Sequence, residues 1–97
     1  MTLTGTITDV RTRRADEIFK VARNPDQEML HISIISTGKT GRQAMANVRS
    51  PDDHSHLGMF IKKYGKAPTP GMTVDIIFEN GYPKIVYPAP IKYQKEA

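Results

Sequence analysis

Apolar positions recur along this chain with two different periods. Across 29–36, Leu30, Ile32 and Ile34 alternate with Met29, His31, Ser33 and Ile35, the two-residue repeat of a strand whose faces differ. The first set is the expected core face. Leu57, Phe60, Ile61 and Tyr64 fall instead at i, i+3, i+4 and i+7, which gathers them on one side of a helix over 54–64. Gly65 is placed to end that helix, Lys62, Lys63 and Lys66 complement its carboxyl end, and Pro68 and Pro70 prevent its continuation. N-cap candidates and acidic residues crowd 50–55.

Four further segments read as extended chain. Leu3, Gly5 and Ile7 alternate with threonines over 3–12, but Val10 follows Ile7 by three residues, which predicts a bulge or bend at Thr8 and Asp9. A polar, charged run over 11–17 leads to a short strand candidate at 18–22, closed by the turn residues Asn24-Pro25-Asp26. After a glycine-containing loop at 37–41, the alternation over 42–49 places Ala44, Ala46 and Val48 on a core face, with Gln43, Met45, Asn47 and Arg49 opposite. Met72, Val74, Ile76 and Phe78 then alternate up to Asn80-Gly81, a strong hairpin signal, and a return strand runs over 82–87.

With 97 residues there is room for one hydrophobic core, expected within 1–88, and 89–97 reads as a polar basic tail. No apolar run approaches the length of a membrane-spanning helix, and the first residues lack the pattern of a secretory signal. Cysteine is absent, which excludes disulfides and thiol chemistry and fits a reducing, cytoplasmic location. Fourteen Lys and Arg stand against ten Asp and Glu, a net charge of +4 that favours polyanionic partners or simply keeps the surface solvated.

The element order of three strands (3–12, 28–36 and 42–49), a helix at 54–64 and a hairpin at 72–87 resembles a five-stranded OB-fold barrel with its helix between strands 3 and 4. Gly58, poor for a helix, then reads as allowing close approach of the helix to the barrel. The resemblance implies binding of single-stranded nucleic acid across strands 2 and 3, flanked by the strand 1–2 and 4–5 loops. The candidate contacts are Arg11, Arg13, Arg14, Phe19, Lys20 and Arg23 from the first loop; His31, Met45, Asn47 and Arg49 from the strand face, with Lys39 and Arg42 beside them; and Tyr82 and Lys84 from the second loop. Residues 10–24 carry five basic side chains against two acidic ones, with Phe19 among them. Cations along the phosphates and apolar or aromatic groups under the bases are what a single strand requires.

Each of these residues also has a plainer reading. Phe19 can pack into the barrel, Tyr82 across its strand pair, and the helix lysines can simply answer the helix dipole. Met29, Ile35 and Met45 would form an apolar patch, so a protein-interaction or homodimer module is the alternative to a non-catalytic nucleic-acid binder, with DNA expected ahead of RNA. His54 and His56 diverge on a helix and do not converge on a metal. Gly38-Lys39-Thr40-Gly41 lacks the earlier glycine and the following helix of a phosphate loop. No catalytic constellation is visible, and no cofactor, metal or membrane partner is expected.

Overall fold

The computed structural model describes residues 3–45, 48–49 and 52–87. Five antiparallel strands form a nearly closed barrel: β1 (Leu3–Arg14), β2 (Glu28–Ser36), β3 (Lys39–Met45), β4 (Thr73–Glu79) and β5 (Tyr82–Ile85). Helix α1 (Ala15–Ile18) follows β1, and α2 (His56–Tyr64) lies between β3 and β4 in sequence. The strands are ordered β3-β2-β1-β4-β5.

The long first strand makes this curvature possible. Residues 3–6 pair with β4, whereas Thr6 to Arg14 pair with β2, and the register shifts between Ile7 and Asp9. A bulge here bends the strand so that one segment serves two sides of the barrel. It falls where the slip in apolar phase places it.

Two tight turns set the remaining registers. Thr37 and Gly38 have φ of 51° and 79°, and Asn80 and Gly81 have 54° and 84°, so each pair makes a two-residue turn with both φ values positive, whose twist suits a hairpin. The first fixes Ser36 opposite Lys39, hence Ile34 opposite Gly41, Ile32 opposite Gln43 and Leu30 opposite Met45. Directly opposed residues share a face, so Gln43 and Met45 point inward with Ile32 and Leu30. This corrects the expected phase of the third strand. Ala44 takes the outer face, Met45 is fully buried in the core, Val48 lies in a turn, and Ala46 falls outside the described residues.

Ile7, Ile32, Ile34, Met45, Leu57, Phe60, Val74, Ile76 and Ile85 form one core cluster. Helix α2 covers it with Leu57 and Phe60, while Ile61 and Tyr64 pack at its margin. Truncating a fully buried phenylalanine such as Phe60 costs about 3–5 kcal/mol, so the helix is integral to the barrel rather than an attachment. The Ser55 hydroxyl accepts the Gly58 N–H at 2.8 Å to start α2, and Gly65, with φ of 87°, ends it. Gly58 is required for a different reason from close helix–barrel approach. A Cβ there would overlap the Asp52 carbonyl, within the turn that leads into the helix.

The first connection also differs from expectation. β1 continues to Arg14, and α1 occupies part of the 18–22 stretch read as a strand, followed by irregular chain to Gln27. The Gln27 N–H donates to the Asn24 carbonyl at 3.0 Å, closing the turn expected at Asn24-Pro25-Asp26. No helix among the described residues is long and apolar enough to cross a membrane.

Candidate nucleic-acid interface

The registers of β1, β2 and β3 dictate a basic outer surface. Asp9, Ser33 and Arg42 stand in one row across the three strands, and Arg11, His31 and Ala44 in the next. Arg13 is opposite Met29 one step further along. Since alternate residues on a strand share a face, Arg11, Arg13, His31 and Arg42 project from the same side of the sheet, away from the core. Arg11 and Arg13 are therefore strand residues, not members of a loop.

Two depressions mark this surface. A groove of about 660 Å³ is lined by Thr8, Ser33, Ile34, Thr40, Gly41, Arg42 and Tyr82. A smaller hollow of about 120 Å³ is lined by Asp9, Arg11, Arg13, His31, Ser33 and Arg42. Ser33 and Arg42 border both, so the two are adjacent. Tyr82, 60% exposed, lines the groove together with Arg42. It reaches this position because Gly41 lets β5 approach β3: a Cβ on Gly41 would come within 2.5 Å of Pro83 Cδ.

Within the hollow, Arg11 Nε donates to Asp9 Oδ2 at 2.8 Å. His31 is held below its ordinary pKa of 6.5, first by partial burial and then by the positive charges of Arg42 and Arg13, with Asp9 opposing. It is accordingly a neutral imidazole at neutral pH. Arg13 Nε is buried and has no hydrogen-bond partner among the described residues. The hollow thus holds three guanidinium groups against one carboxylate, a surface on which an anion is favoured.

The other candidates are distributed differently. Arg14 is tied down by Asp16 at 2.8 Å and Asp26 at 2.9 Å, while its N–H donates to Glu17 Oε1 at 2.9 Å; its role is to brace α1 and the following turn. Phe19, Lys20 and Arg23 are exposed in that same connection, so Phe19 does not pack into the barrel. Lys39 sits 5.3 Å from the Phe78 ring centroid and Lys84 pairs with Glu79 at 2.9 Å. Arg49 pairs with Glu28. Met45 is inside the core and does not reach this surface, and Asn47 falls outside the described residues.

Burial of Met29 along with Met45 also removes most of the apolar patch expected for a protein partner, leaving Ile35 exposed on its own. Thr8, Asp9 and Thr40 are site-lining residues that periodicity does not single out. Their signal lies in the bulge and the tight turn, which together set the rows across the strands. Among the described residues no group of three His, Asp or Glu side chains is placed to hold a metal ion. His56 is engaged elsewhere, with Nδ1 3.1 Å from the Tyr87 hydroxyl.

The class defined by this architecture is a five-stranded, nearly closed antiparallel barrel, compatible with an OB-like fold. Comparisons with protein-family models, curated proteins and solved structures returned no match.

Proposed function

We propose that this chain is a non-catalytic single-stranded nucleic-acid-binding protein, with DNA ahead of RNA, using the outer face of β1, β2 and β3. The observation that carries the reading is the adjacency of the arginine-lined hollow and a groove bordered by Tyr82, through the shared residues Ser33 and Arg42. Cations that neutralise phosphates beside an aromatic ring that stacks on a base are the two elements of sequence-tolerant single-strand binding. The exposed Phe19, Lys20 and Arg23 extend the supply of apolar and positive groups along the β1–β2 connection.

Fluorescence anisotropy with labelled single-stranded DNA, single-stranded RNA and duplex DNA, each titrated across salt, tests this reading. The expected outcome is tighter binding of a single strand than of duplex, with affinity falling as salt rises. No binding at low salt, or equal binding to duplex and single strands, would overturn it.

A further inference from the structure

The 120 Å³ hollow has features that a diffuse positive surface lacks. It is small, of a size that suits one compact anion. It is lined by Asp9, Arg11, Arg13, His31, Ser33 and Arg42, drawn from three adjacent, hydrogen-bonded strands. Buried donors are almost always paired in folded proteins, yet Arg13 Nε has no acceptor among the described residues. Guanidinium groups, an imidazole and a hydroxyl together offer the donors that a tetrahedral oxyanion accepts.

We infer that this hollow is a binding site for a single phosphate group, gripped by Arg11, Arg13 and Arg42 with His31 and Ser33 completing its hydrogen bonds. The inference deepens the nucleic-acid reading and rests on it only for what carries the phosphate, whether a strand terminus, an internal phosphodiester or free phosphate. Asp9 sets a limit on the charge of the site. Paired with Arg11 at 2.8 Å, it orients that side chain while repelling a ligand that approaches from its own side.

His31 supplies the reporter. The groups facing it are Asp9, Arg11 and Arg13 from β1 and Arg42 from β3. A bound phosphate counters the arginine charges that disfavour imidazolium, so His31 titrates at higher pH when phosphate is present.

The test is an NMR titration of the full chain with inorganic phosphate, following the three histidine ring signals, with His31→Gln assigning the relevant one. The expected result is a saturable shift and an upward displacement of the His31 titration, while His54 does not respond. Arg13→Lys keeps the charge but lacks the Nε donor and the planar fork, and weakens phosphate binding about tenfold, as loss of one charge-assisted hydrogen bond implies. Lys66→Gln, on the exposed residue after α2, leaves it unchanged. Equal responses of His31 and His54, or wild-type affinity in Arg13→Lys with an unaltered thermal midpoint, overturn the inference.

Oligonucleotides of one sequence with and without a 5′-phosphate separate the carriers. Tighter binding of the phosphorylated strand assigns the hollow to a terminus, and equal binding that inorganic phosphate competes away assigns it to the internal backbone. Oligonucleotide binding without any His31 response to phosphate sinks the hollow but spares the wider reading. Phosphate binding in a chain that ignores both oligonucleotides keeps the hollow and removes its nucleic-acid carrier.

Discussion

The side chain of Gln43 on β3 accepts the Ile85 N–H of β5 at 2.8 Å through Oε1 and donates from Nε2 to the Tyr87 hydroxyl at 3.0 Å. One amide thereby bridges the two end strands of the sheet. Tyr87 is held above its ordinary pKa chiefly by burial, with the Gln43 hydrogen bond acting in the opposite sense. Replacing Gln43 with Ala leaves a buried backbone N–H without its acceptor and the phenol without its donor. A loss of about 2–3 kcal/mol is expected, measured by urea denaturation with an unchanged slope. A variant as stable as the parent would mean that the seam does not depend on this bridge.

Gly58→Ala inverts the usual helix rule. In an exposed helix interior this change gains about 1 kcal/mol. Here the methyl group meets the Asp52 carbonyl and the Ser55 hydroxyl that caps α2, so the variant is expected to lose stability by about 1–3 kcal/mol. Thermal or chemical denaturation decides the sign.

Arginines of the same nominal charge are expected to differ in their effect on binding. Arg42→Gln removes a cation from both depressions and should weaken single-strand binding while lowering the salt slope by about one. Arg14→Gln breaks ion pairs with Asp16 and Asp26, so binding should stay near the parent value, and because those exposed pairs are worth only about 0–1 kcal/mol, stability should fall little. Equal losses of affinity in the two variants would show that total charge, not the sheet face, governs binding.

Tyr82 distinguishes stacking from simple charge capture. Tyr82→Ala should cost about 1–3 kcal/mol of binding free energy, whereas Tyr82→Phe should retain most of it because the ring face is preserved. Anisotropy at one fixed salt concentration suffices. Parallel losses in both variants would point to the hydroxyl instead.

Stability should depend on pH through His31. Its pKa in the folded chain lies below the ordinary 6.5, so between those two values the unfolded chain binds more protons than the folded one. Stability therefore rises with pH through this window, is complete above 6.5, and declines as acid forces a charge among Arg13 and Arg42. His31→Gln should flatten this part of the profile. Denaturant midpoints across weakly acidic to neutral pH, in buffer without phosphate or sulfate, provide the comparison.

Much of the architecture is legible in residue order because its devices are local. The slip between Ile7 and Val10 marks the bulge, Asn80-Gly81 marks its hairpin, and the spacing from Leu57 to Tyr64 marks the face of α2. The third strand is harder. With two glycines in 37–41 the turn length is ambiguous in the sequence, and Ala44, Ala46 and a polar Gln43 suggest one phase, whereas the two-residue turn at Thr37 and Gly38 fixes the opposite one. Gln43 is an inward amide because Ile85 and Tyr87, more than forty positions away, satisfy it. That pairing leaves no periodic trace. Arg11 and Arg13 are evident in the sequence as cations, but alternation around Thr12 is also the mark of a strand, and β2 pairs with β1 as far as Arg14. Arg14 differs from them through Asp16 and Asp26, whose approach depends on the folded connection.

The arrangement of β1 also divides the labour between the two sides of the sheet. Every residue lining the arginine hollow lies between positions 9 and 42, so α2 and the last hairpin contribute nothing to its walls. The reverse side of the same three strands carries Ile7, Ile32, Ile34 and Met45, whose cover comes from Leu57, Phe60, Val74, Ile76 and Ile85. The three strands thus form a two-sided sheet, charged on one surface and apolar on the other. That apolar side is covered only because β4 returns to Leu3 and α2 lies over the core, so loss of either would leave an exposed, aggregation-prone sheet face.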